Sequence, residues 1–99
     1  MSAFKKGDLV FYKNYIQYME HDMSHHAPVF EVTELYTLTT SGQPHCNLRL
    51  LATNEIRGTI PLYSLIPLTP EHKTQVLLGL TTLDVTDLIE DRHLWEIRN

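Results

Sequence analysis

The densest chemistry in this 99-residue chain is Glu20-His21-Asp22-Met23-Ser24-His25-His26. His21 and His25 are four apart, so on a helix they would share a face and could chelate Zn²⁺ or Ni²⁺. With His26 and the Asp22 carboxylate they make a workable ligand set of neutral imidazoles and one anion. The order is not the His-Glu-x-x-His of a metalloprotease, and Pro28 closes the segment. The competing reading is a polar loop with solvated histidines, and pH sensing is a further use of the same side chains.

His45-Cys46 invites a Cys/His catalytic reading. Adjacent strand residues point to opposite faces, so these two are not expected to form a dyad. Cys46 falls on an apolar face, where a free cysteine serves as a small core residue. Tyr12, Tyr15, Tyr18, Tyr36 and Tyr63 are the tyrosines. Beside Lys13, Arg49 and Arg57 they could bind a peptide or stack on a base. Equally, Tyr36 and Tyr63 could be core and the others half-buried ring edges. Residues 71–99 hold six acids against three basic residues. That balance suits the wet face of a helix, with Trp95 and Ile97 as an anchor for a partner or twin subunit. No phosphate-binding glycine loop, nucleophile elbow or paired-carboxylate motif is present.

The elements that must position these residues centre on Val29–Leu51. Two β-rich runs flank a Ser41-Gly42-Gln43-Pro44 turn, which predicts a hairpin. In the first run, Val29–Leu38, the residues Phe30, Val32, Tyr36 and Leu38 share one face, with Glu34 as the exception. In the second, Cys46, Leu48 and Leu50 alternate with His45, Asn47 and Arg49, the pattern of a half-buried antiparallel strand. Leu9-Val10-Phe11-Tyr12 predicts a short strand that is apolar on both faces. Lys13–Pro28 is expected to be a long loop, a type of segment often functional. Thr53–Gly58 reads as a turn, Gly58–Pro61 as a short strand, Leu62–Leu65 as one turn of 3₁₀ helix and Ile66–Leu68 as a closing strand.

Thr69-Pro70-Glu71 is a helix start: a capping threonine, a proline at the first position and an acid for the dipole. Val76, Leu77 and Leu80 follow at helical spacing until Gly79 weakens or ends the helix. Asp84 is a candidate cap for a second helix with Val85, Leu88 and Ile89 on one face. His93–Arg98 fits either a continuation of that helix or a last strand.

Strand, long loop, hairpin, short strand, helical turn and closing strand follow one another in the order of small SH3-like barrels. The residues that carry the likeness are Lys6-Gly7-Asp8-Leu9-Val10, the Val29–Leu51 hairpin and Ile60–Leu68. In these the chain resembles small bacterial and phage members of that class. It departs from the ribosomal KOW motif and lacks the acidic loop and paired tryptophans of eukaryotic SH3 domains. The resemblance implies a barrel and an interaction module, and no binding residue is carried over from it.

Composition sets the outer bounds. Ninety-nine residues make one domain, and 42% hydrophobic residues suffice for a globular core. The formal charge of −4 argues against a nucleic-acid partner, whose binders are usually basic. One cysteine cannot form an internal disulfide. No leader-like h-region or apolar run of membrane length is seen, so a cytoplasmic location is expected.

The expected fold is therefore mainly β (α+β): a small antiparallel SH3-like barrel over 1–68 with a helical extension over 69–99 packed on it, in a single domain. The expected function is a non-enzymatic protein-interaction module or small adaptor, binding a protein partner or itself through Tyr15, Tyr18, His25, His26, Arg49 and Trp95. The alternative is a metal- or ligand-responsive protein using His21, His25 and His26, with Zn²⁺ as the candidate cofactor. A single-stranded nucleic-acid binder is third.

Overall fold

A computed structural model describes residues 4–13 and 26–90. Its centre is a five-stranded antiparallel sheet in the order β5-β4-β3-β1-β6. The strands are β1 (Leu9–Tyr12), β3 (Phe30–Thr37), β4 (Pro44–Leu50), β5 (Ile56–Pro61) and β6 (Leu65–Pro67). A 3₁₀ turn, Leu62–Ser64, joins β5 to β6. No pairing joins β5 and β6 among the described residues, so the sheet is open at those edges. A second, two-stranded sheet pairs β2 (His26–Pro28) with β7 (Thr82–Asp84). Helix α1 (Pro70–Leu77) and the short helix α2 (Thr86–Glu90) flank β7.

β1 is apolar on both faces because both are covered. Val10 belongs to a cluster with Phe30, Val32, Cys46, Leu48, Ile60 and Leu65. Its neighbour Phe11 belongs to another, with Ala27, Val29, Ile66, Leu68, Leu83 and Val85. Leu65 and Ile66 of β6 divide in the same way. Strands packed on both sides read as continuous hydrophobic runs, since neither face meets water.

The segment after Leu68 is thus more than a helical extension. It supplies β7 and two core residues, Leu83 and Val85, each 1% exposed or less. The end of the expected long loop is also structured, because His26–Pro28 is the partner strand of β7. At Val29 the chain passes between sheets: its N–H donates to the Thr81 carbonyl at 3.0 Å, and its carbonyl accepts Leu51 N–H at 3.1 Å. A three-residue strand containing proline leaves no periodicity to read, and only its partner 56 positions later defines it.

α1 begins and ends as its sequence predicts. Thr69 Oγ1 accepts His72 N–H at 3.2 Å, and Pro70 sits in the first turn. At the other end Gly79, with φ +99°, donates to the Val76 carbonyl, while Leu80 N–H reaches Gln75. These two bonds form a Schellman cap, which needs the left-handed conformation glycine takes without strain. The buried face differs from expectation. It carries His72 and half-buried Val76, whereas Leu77 and Leu78 are 87% and 77% exposed. The core-facing pair is thus i, i+4 from His72, a residue whose polarity hides it from a hydrophobic pattern.

Candidate functional site

Asn47 lies where both neighbouring strands carry an extra residue. In β3, Val32 pairs with Leu48 and Glu34 with Asn47, so Thr33 is bulged. In β5, Ile60 pairs with Cys46 and Arg57 with Leu48, which leaves Gly58 and Thr59 opposite Asn47. A bulge inserts one residue and re-aims the side chains beyond it.

Asn47 holds both bulges, through its backbone carbonyl and its side-chain oxygen. The Thr33 hydroxyl donates to the Asn47 carbonyl at 3.2 Å. The Tyr36 hydroxyl donates to Asn47 Oδ1 at 3.0 Å and accepts Thr59 N–H at 2.9 Å. Thr59 N–H is also 3.3 Å from Asn47 Oδ1. Thr59 holds φ +59°, a costly conformation for a β-branched residue. The three-strand network supplies the bonds that keep it there.

The Thr33 bulge corrects the expected facing of β3. Beyond it, Leu35 pairs with Cys46 on the core side and Tyr36 pairs with His45 on the outer side. Tyr36 is therefore a half-buried member of the outer face rather than core, and Glu34 is no exception. One inserted residue inverts the alternation, because side chains in a strand repeat every two positions.

On the same face Arg49 is engaged in an ion pair. Its Nε donates to Glu31 Oε1 at 3.0 Å and its Nη1 to Asn54 Oδ1 at 2.6 Å. Asn54 holds φ +65°, which asparagine tolerates. The guanidinium thus braces the β3–β4 pair and the turn after β4. The more exposed Arg57–Glu55 pair, at 3.4 Å, is a surface contact.

At the hairpin end of β3 and β4 is a shallow hollow lined by Leu35, Tyr36, Thr37, Pro44, His45 and Leu62, residues from both sides of the sheet. Leu35 is 37% exposed despite its core-side register. His45, expected on the face opposite Cys46, is there but buried. Its Nδ1 lies 3.0 Å from the Gln43 carbonyl. A carbonyl only accepts, so the ring proton is assigned to Nδ1. Tyr63, an alternative core residue in the sequence reading, is 64% exposed.

Cys46 is fully buried on the opposite face from His45. Burial pushes its thiol up to about 11. A thiol with so little thiolate at neutral pH is a poor nucleophile, which suits its place in the core.

A polar cleft is lined by Glu71, His72 and Gln75 of α1 and by Asp84, Thr86 and Asp87. Asp84 Oδ1 accepts Thr86 N–H at 2.9 Å and its hydroxyl at 2.6 Å, so this carboxylate organises the start of α2. His72 packs against Phe11 with ring centroids 5.1 Å apart and planes at 89°. Among the described residues no group of three or more His, Cys, Asp or Glu side chains could hold a metal ion.

Tyr15, Tyr18, His21, Asp22, His25, Trp95 and Ile97 lie outside the described residues. Of the expected binding residues, His26 is in the two-stranded sheet, paired in register with Asp84, while Arg49 is in the five-stranded sheet. Asn47, Glu31 and His72 were not singled out by sequence. A polar residue on the wet side of a strand carries no mark of bulges in two other strands. No described helix is long and apolar enough to cross a membrane. Comparisons with family models, curated proteins and solved structures find no match for this chain.

Proposed function

We propose that this chain is a non-enzymatic interaction module on an SH3-like frame that binds a protein segment at the hairpin end of β3 and β4. Two features support the frame: the strand order β5-β4-β3-β1-β6, and a 3₁₀ turn immediately before the last strand. Frame alone does not give function. The observation that carries the reading is the hollow of Leu35, Tyr36, Thr37, Pro44, His45 and Leu62. It joins the apolar carbon of Leu35, Pro44 and Leu62 to the rings of Tyr36 and His45. Such a surface suits an extended segment with an apolar anchor.

Peptides selected from a random display library against the folded protein would provide the test. Binding is expected to shift the backbone amide resonances of residues 35–37, 44–45 and 62. Leu35→Ser and Thr37→Arg should weaken it at least about tenfold, since both positions line the hollow. Perturbations mapping elsewhere, or unchanged affinity in both variants, would sink the reading.

A further inference from the structure

A cleft of about 390 Å³ is lined by residues of the turn before β1, of β6 and of α1. Phe4, Leu9 and Pro67 give it apolar carbon, and Lys5, Lys73 and Asp8 give it charge. Phe4 packs against the core cluster of Phe30, and Leu9 against that of Phe11, so both are held from behind. The backbone of Lys5 is held as well. Asp8 N–H donates to the Lys5 carbonyl at 3.0 Å, and Lys5 N–H donates to Asp8 Oδ2 at 2.8 Å. Gly7, at φ +94°, completes this turn and ties it to β3 by donating to the Val32 carbonyl at 2.7 Å.

The Asp8 carboxylate is therefore engaged in the turn. Among the described residues, neither the Lys5 nor the Lys73 ammonium has a hydrogen-bond or ion-pair partner, whereas Arg49 and Arg57 are both paired. Glu71, two positions before Lys73, lines the other cleft with Asp84 and Asp87. Two ammoniums and one carboxylate leave this cleft with a local excess of one positive charge, in a chain of formal charge −4.

We propose that this cleft binds a small amphipathic carboxylate, with its apolar body on Phe4, Leu9 and Pro67 and its charge at Lys5 and Lys73. The volume falls in the range of small-ligand sites, which combine an apolar lining with a few convergent polar groups. Charge complementarity selects an anion over a neutral or cationic ligand of the same shape. A monoanion matches the local excess, while a phosphate dianion would leave one negative charge unbalanced beside Asp8. Lysine carries its charge on a flexible stem, which lets two exposed ammoniums close on one bound group. The site shares no residue with the hairpin-end hollow, so the two readings stand or fall separately.

The test is titration of the full chain with 2-naphthoate, followed by backbone amide resonances. Shifts are expected at residues 4–9, 67 and 73, with a dissociation constant of about 1 mM or tighter. The neutral isostere 2-naphthylmethanol and inorganic phosphate, which has no apolar body, should each bind at least about fivefold more weakly. Raising the salt from about 20 mM to about 500 mM should weaken naphthoate binding several-fold on the unaltered protein. Lys5→Gln with Lys73→Gln, both at exposed positions, should leave the free spectrum native and weaken naphthoate at least about fivefold. Absent shifts, or shifts centred on other residues, would overturn the proposal. So would equal binding of the alcohol or of phosphate, or binding indifferent to salt and to loss of both lysines.

Discussion

The Tyr36 hydroxyl accepts the Thr59 backbone N–H at 2.9 Å, reaching from β3 across β4 to β5. It does so because Asn47, between them, takes the Tyr36 proton on its side-chain oxygen. Two side chains thereby lock three strands where both outer strands bulge. This arrangement fixes which β3 residues face the core and which face outward.

Removing the hub should cost more than removing either spoke. Asn47→Ala is expected to destabilise the fold by about 2 kcal/mol, since it strips the side-chain acceptor shared by Tyr36 and Thr59. Tyr36→Phe should cost about 1 kcal/mol or less, because Asn47 Oδ1 remains near Thr59 N–H. Urea denaturation of the two variants would measure both. Equal effects would mean that Asn47 does not coordinate the bulges.

Thr59→Gly should stabilise the protein. Thr59 is exposed and holds φ +59°, so glycine relieves strain and removes little packing. The gain is expected to be about 1 kcal/mol after offsetting the added unfolded-state entropy. A lower denaturation midpoint for Thr59→Gly would show that the left-handed conformation is not strained here.

His72 acts both as packing and as cap. Thr69 N–H lies 3.4 Å from His72 Nδ1, and a backbone N–H only donates, so Nδ1 accepts. Glutamine at this position can fill the same role in a capping box. His72→Gln should therefore retain the hydrogen-exchange protection of the first turn of α1, although it loses the edge contact with Phe11. His72→Ala should lose both and cost about 2 kcal/mol. Identical protection in the two variants would leave the imidazole with packing alone.

Cys46 links stability to alkaline pH. Its thiol is raised from 9.0 to about 11 in the folded state. Between those values the unfolded chain releases the proton and the folded chain retains it, so stability falls as pH rises. The contribution is fully present below pH 9 and is lost through about pH 11, a change of roughly 2–3 kcal/mol. It should appear as the difference between wild type and Cys46→Ala in denaturation curves across that window. Parallel curves would place the folded thiol at its ordinary value. Thiol reagents at neutral pH should react with the native protein only as fast as it opens.

Local chemistry was enough to specify several elements from sequence. Thr69-Pro70 starts α1 and Gly79 ends it, because capping and left-handed glycine are decided within a few residues. Alternation in Cys46–Leu50 placed Cys46 and Leu48 inward, since one face of that strand is dry and the other wet. The turn through Gly42 and the 3₁₀ turn at Leu62–Ser64 were legible for the same reason.

Tertiary structure alone decided the rest, wherever the determining partner is distant in sequence. The Thr33 bulge turned Tyr36 to the outer face, and only pairing with β4 reveals it. β2 and β7 are strands because each completes the other, and neither three-residue segment has a pattern long enough to show a period. His72 is buried because Phe11, 61 positions earlier, offers a ring to pack on. The candidate face was legible as alternating polar residues, but its construction around Asn47 was not. Hydrogen bonds among three strands depend on register, and register is a property of the assembled sheet.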